Sequence, residues 1–155
     1  MTDVWFYHLQ RQPLERALPA LLERSLERGW TVVVQATTEK NLAALDEHLW
    51  SYDAEKFLPH GAAKDGEPET QPIYLTLTAE NPNDADVRFF IEGALAAPVL
   101  ADAKAAPRER AIVMFDGNDE AALAGARAQW KELTQGGHAL SYYQQDESGK
   151  WDKKK

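Results

Sequence analysis

Along the chain, apolar residues alternate between runs that suit strands and spacings that suit helices. Val4 to Leu9 (VWFYHL) is β-branched and aromatic, which predicts a strand, and Gln10 to Pro13 makes a short polar connection. Leu14, Leu18, Leu21, Leu22 and Leu26 then recur at helical spacing, and Gly29 stands where a helix C-terminus favours glycine. Trp30 to Ala36 (WTVVVQA) is nearly continuous in apolar residues and predicts a strand covered on both faces. Thr37 or Thr38 can cap the next helix, whose apolar stripe is Leu42, Leu45, Leu49 and Trp50. Gly61 to Pro72 (GAAKDGEPETQP), rich in glycine, proline and charge, predicts an exposed loop between two halves.

In the second half, Ile73 to Thr78 (IYLTLT) alternates as a half-buried strand does, and Asn81 to Asp84 (NPND) predicts a turn. Val87 to Ile91 is a further strand. Ala94 to Arg108 is Ala-rich but broken by Pro98 and Pro107, so only short helical turns are expected there. Ala111 to Phe115 (AIVMF) predicts a buried strand, and Asp119 to Thr134 predicts a helix with Ala122, Leu123, Ala126, Trp130 and Leu133 as its apolar stripe. His138 to Gln144 closes with a strand. The alternation predicts one α/β domain over residues 1–148, Rossmann-like, with a mainly parallel sheet flanked by helices. Residues 149–155 (GKWDKKK) are expected to form a flexible C-terminal tail apart from Trp151.

Composition narrows the function. A chain of 155 residues can bury one proper core, and the absence of cysteine removes disulfide and thiolate chemistry. A formal net charge of −8 and a pI near 5.0 argue against a domain that grips phosphate backbones over a broad surface, so tight direct binding of nucleic acid is not expected. Met1-Thr2-Asp3 lacks the basic start of a signal peptide, and no stretch approaches the roughly 20 apolar residues of a bilayer span. A soluble cytoplasmic protein without membrane contact is the expectation.

A Rossmann-like alternation invites a nucleotide, which demands a glycine-rich turn after the first strand. The first glycine is Gly29, after the first helix, and no GxxxxGK[ST] occurs, so no nucleotide-binding loop is present. His8, His48, His60 and His138 form neither HxxxH nor HExxH, and no metal or cofactor is expected. Asp116 and Asp119 could serve a metal- or nucleotide-dependent enzyme, but a turn with Asn118 or Asp119 capping the next helix accounts for them better. The serines lack a G-x-S-x-G elbow. What stands out instead is Arg127, Trp130 and Lys131, gathered on one side of the last helix by their spacing. Two cations at i, i+4 slightly oppose helix formation, so an anionic partner would account for their pairing beside an aromatic. The competing account is that Trp130 is core and the two stems simply lie over it. A basic tail of Lys150 and Lys153 to Lys155 offers a third reading, direct contact with DNA.

Four stretches together resemble the chi subunit family of bacterial DNA polymerase III: Phe6-Tyr7-His8-Leu9, the LDExLW run from Leu45 to Trp50, FLPHG from Phe57 to Gly61, and the Arg127…Trp130-Lys131 helix. The resemblance runs in order over essentially the whole chain. It implies a non-catalytic clamp-loader accessory protein that recognises the acidic C-terminal tail of single-stranded DNA-binding protein and pairs with the psi subunit. On that basis Arg127 and Lys131 should hold the tail's carboxylates, and Trp130 should help wall an apolar pocket for its terminal phenylalanine. Trp50, Phe57, Leu58 and Pro59 should contact psi or another clamp-loader component.

Overall fold

The computed structural model describes residues 2–10, 12–53 and 58–154. Its elements are β1 (Asp3–Leu9), α1 (Leu14–Glu27), β2 (Val32–Gln35), α2 (Glu39–Ser51), β3 (Gly61–Ala62), β4 (Ile73–Thr76), β5 (Val87–Phe90), α3 (Ala96–Leu100), β6 (Arg110–Asp116), α4 (Glu120–Gln135), β7 (Ala139–Gln145) and β8 (Trp151–Lys153). The strands form a single sheet in the order β3-β4-β2-β5-β6-β1-β7-β8, parallel except for β8, which runs antiparallel to β7. This is the flanked, mainly parallel α/β architecture that the alternation predicts.

Local chemistry explains the helix boundaries. Thr38 caps α2 by accepting from the Asn41 N–H, and Asp119 caps α4 by accepting from the Ala121 and Ala122 N–H groups at 2.9 and 3.2 Å. Gly29, at φ 79°, ends α1 in the left-handed region where glycine carries no steric penalty. Pro19 lies inside α1 and has no N–H for the Glu15 carbonyl four residues back. His48 of α2 supplies the missing donor, its Nε2 lying 2.6 Å from Glu15 O. The proline is therefore tolerated because a neighbouring helix completes the hydrogen-bond account.

One face of the sheet packs Tyr7, Leu9, Val32, Val34, Val87, Phe89, Ile112 and Met114 against α1 and α2. The other packs Val4, Phe6, Phe90, Ala111, Val113 and Phe115 against α3 and α4. All four residues of β4 are buried, whereas its alternation suggested a half-buried strand; Ile73 and Leu75 join the α1/α2 core while Tyr74 packs with Val33 and Ala85 on the other side. Within the expected Gly61–Pro72 loop, Gly61–Ala62 pairs with Tyr74 and Leu75 as the edge strand β3. Trp50, placed in the α2 stripe by its spacing, is 53% exposed and turned outward.

The expected tail is also corrected. Trp151–Lys153 closes the sheet at its far edge, opposite Tyr143 to Gln145. The cause is a row of rings on the α1 face: Trp5 lies 4.7 Å from Tyr143, and Tyr7 lies 5.2 Å from Tyr143 and 4.7 Å from Trp151. Arg110 adds its guanidinium over Trp5 at 3.5 Å, a cation–π contact.

A fully buried arginine braces the β4 end of the sheet. Arg88 of β5 donates from Nε and Nη2 to Gln35 Oε1 at 3.1 and 2.6 Å, from Nη1 to Glu80 O at 2.6 Å, and from Nη2 to Thr78 O at 2.7 Å. Burial lowers its pKa to about 10, so it stays charged at neutral pH, and two carbonyls of the loop between β4 and β5 accept hydrogen bonds from it. Arg88→Ala strips the donors from Gln35 and two loop carbonyls and empties a fully buried site, so it should cost about 3–5 kcal/mol, read as a lowered urea midpoint.

Candidate functional site: an aromatic and basic face on α4

The two-residue period of β1 points Phe6 and His8 at α4, and neighbouring strands bring Phe115 and Tyr142 beside them. Trp130 comes down on this floor from above, its ring 5.2 Å from Phe6 and 5.8 Å from Tyr142, both edge-on. It is half-buried, while Arg127 and Lys131 are exposed and pair with no carboxylate among the described residues. The three side chains are thus together on α4, with the tryptophan serving the core and the surface at once.

α4 is fixed in place by Ala126 and Leu133, both buried, and by Gln129, a polar residue in the same stripe. The Gln129 carbonyl accepts from Ala96 N–H at 3.1 Å and its amide donates to Ala94 O at 3.2 Å, tying the helix to the start of α3. Beneath Arg127, the His8 and Tyr142 side chains share a hydrogen bond of 2.6 Å between Nδ1 and the phenol oxygen. Burial holds the His8 imidazole below its usual pKa, the Arg127 charge pushes the same way, and Asp116 opposes both. Burial raises the Tyr142 phenol, with Arg127 opposing. The field of Arg127 therefore reaches both members of the pair. The His8 ring sits in a notch left by Gly117, where an added Cβ would come within 1.8 Å of Nε2.

The second expected surface is only partly assembled. Trp50 lies against His60 with centroids 4.2 Å apart and the rings tilted by 40°. His60 Nδ1 lies 2.6 Å from Leu58 O, and its Nε2 lies 3.0 Å from Asp46 O and 2.9 Å from Asp46 Oδ1. Lys64 reaches the other oxygen of Asp46 at 3.3 Å. These bonds pin the 58–60 segment to α2 and turn Leu58 inward, where it is 1% exposed within the core. Leu58 therefore does not belong to an open face as expected. Trp50 is exposed, Pro59 half-buried, and Phe57 lies outside the described residues.

The enzyme alternative finds its carboxylates already employed. Asp119 caps α4, and Asp116 Oδ1 accepts from the Asn118 N–H at 2.9 Å. Among the described residues, no group of three or more metal-ligating side chains is gathered. A groove of about 400 Å³ lies between α2 and the β3–β4 edge, lined by Leu42, Ala43, Tyr74 and Leu77, with Glu80 at its rim. The Glu80 carboxylate already accepts from the hydroxyls of Tyr74, Thr76 and Thr78.

The family described as DNA polymerase III chi subunit, HolC, matches residues 1–141. The chain belongs to the DNA polymerase III chi subunit family. Among curated proteins it is similar to the probable DNA polymerase III subunit chi of Rickettsia prowazekii (strain Madrid E), 32% identical over 100 residues. That stretch is 64% of this chain and 61% of the relative, so the chain spans under two thirds of the relative's length.

In this chi-family chain, the α4 cluster falls inside the family match and Tyr142 falls just beyond it. Sequence reasoning placed Arg127, Trp130 and Lys131 by helical spacing but missed His8, Gly117, Gln129 and Tyr142. His8 stood within the Phe6–Leu9 motif, and only the strand pairing β6-β1-β7 brings it under Arg127. The Gly117 notch makes a direct test: Gly117→Ala should displace His8 and cost about 1–3 kcal/mol of stability, typical of overpacking, measured by thermal melting.

Proposed function

We propose that this chain is a non-catalytic accessory subunit of DNA polymerase III that works in the cytoplasm during DNA replication. It binds the acidic C-terminal tail of single-stranded DNA-binding protein at Arg127, Trp130 and Lys131, and links that protein to the clamp loader. The observation that carries the reading is two exposed cations, unpaired with any carboxylate among the described residues, flanking a half-buried tryptophan on a helix of an otherwise acidic protein. Membership of the chi family supports it. The exposed Trp50, braced by His60 and flanked by Pro59, is the surface for the psi subunit or another clamp-loader component. Among the described residues no helix is long and apolar enough to cross a membrane.

Magnitudes agree with a modest affinity. Charge-assisted hydrogen bonds contribute about 1.5–3 kcal/mol each and a buried phenylalanine about 1.5–3, from which ordering the tail subtracts. The sum is compatible with a dissociation constant near micromolar, roughly −8 kcal/mol. Calorimetric titration with a synthetic peptide ending in acidic residues and Pro-Phe should show this affinity and its weakening with salt. Arg127→Ala and Lys131→Ala should each weaken binding at least about tenfold while moving the melting temperature by no more than about 2 °C, since exposed charges add little to folding. Trp130→Ala should lower both. Peptide binding that ignores salt and survives Arg127→Ala would sink the reading.

A further inference from the structure

The His8–Tyr142 hydrogen bond leaves one atom unexplained. His8 is 8% exposed, and its Nε2, turned into the Gly117 notch, has no hydrogen-bond partner among the described residues. A buried N–H without an acceptor is rarer and more costly than a buried lone pair without a donor, so the imidazole proton belongs on Nδ1. His8 Nδ1–H then donates to Tyr142 across the 2.6 Å contact. The phenol oxygen is occupied as an acceptor, and its own hydrogen is left to point elsewhere. No other hydrogen bond to Tyr142 Oη is made among the described residues.

We propose that Tyr142 is a further contact of the anion site, donating its hydroxyl hydrogen to a carboxylate held by Arg127, and that His8 is the positioning residue that directs it. This rests on the tail-binding reading above and names a further donor in that site. Tyr142 already packs edge-on against Trp130, so the donor lies beside the tryptophan wall. The arrangement puts a cation and a phenol on one carboxylate. The phenol is directed from below by a residue that no ligand touches.

A pH dependence follows. The groups facing His8 are Arg127 from α4, Asp116 from β6 and Tyr142 from β7. With its pKa held down by burial and Arg127, His8 is neutral in the unliganded protein at neutral pH. A bound carboxylate offsets the Arg127 charge and makes protonation of His8 easier. Binding then takes up a fraction of a proton, and affinity rises as pH falls below the ordinary histidine range. Above about pH 7.5 both states are neutral and the dependence vanishes.

The experiment is calorimetric titration of the intact protein with the same acidic, Pro-Phe-ending peptide, from pH 7.5 to 5.5, where the peptide's carboxylates remain charged. Tyr142→Phe should weaken binding roughly tenfold at pH 7.5, the loss of one hydrogen bond to a charged acceptor. His8→Leu should weaken it to a similar degree. His8→Asn, which keeps an N–H donor near the Nδ1 position, should restore most of the affinity. Wild-type affinity should rise roughly threefold over the pH interval, and that of His8→Asn should stay flat. In the unsubstituted protein, which no folding defect can confound, the NMR titration of His8 should move to higher pH on adding peptide. Tyr142→Phe binding within twofold of wild type, or an unmoved His8 titration, overturns the proposal while leaving the tail site standing. A wild-type protein that fails to bind the peptide at all overturns the tail-binding reading itself.

Discussion

The pleat of β1 sends Val4, Phe6 and His8 to one face of the sheet and Trp5, Tyr7 and Leu9 to the other. Because β1 lies between β6 and β7, the side chains from Val4 to His8 are each walled by two neighbouring strands. Phe6 carries Trp130, His8 carries Tyr142, and Trp5 and Tyr7 support the ring row that ends at Trp151. A register slip of one residue would exchange the two sets and dissolve the floor of the candidate site and the far edge of the sheet together. Edge-on aromatic pairs add about 0.5–1.5 kcal/mol each beyond burial, so the floor is rigid as well as apolar.

Much of the buried polarity in this fold serves backbone rather than side-chain partners. Arg88 fixes the Thr78–Glu80 loop, Gln129 fixes residues 94–96, and His60 fixes Leu58 and Asp46. Each bond would be costly to leave unmade inside the protein, so each loop has one well-defined position. Candidate surfaces built on such loops and on helices between them are preformed. On a surface of this kind the ordering cost of any association falls on the partner.

Strands and helices with long runs were legible in the chain because burial on one or two faces imposes its period directly on the residues. The Leu14–Leu26 spacing and the WTVVVQA run are examples. β3 and β8 were not legible, being two and three residues long with no room for a period to show. The outward turn of Trp50 and the inward turn of Leu58 both follow from His60 bridging to Asp46, fourteen residues away, a contact that no local pattern announces. In the candidate site, Arg127, Trp130 and Lys131 could be grouped because one helix sets their spacing. His8 and Tyr142 could not, since 134 residues separate them and only the sheet order joins them. Arg88 reads as surface in any hydropathy scale, yet it is fully buried because Gln35 and two carbonyls replace its water.

The short strands at the two rims of the sheet have a further effect. A wide, mainly parallel sheet with long exposed rims would present rows of unpaired N–H and C=O groups to any other copy of itself. Here one rim is β3, two residues long and followed by a sharp departure of the chain, and the other is β8, three residues long, reversed in direction and carrying Asp152 and Lys153. Neither is long or apolar enough to template another strand. Trp50 and Arg127 can thus stand exposed on the surface without the sheet itself inviting copies to join rim to rim.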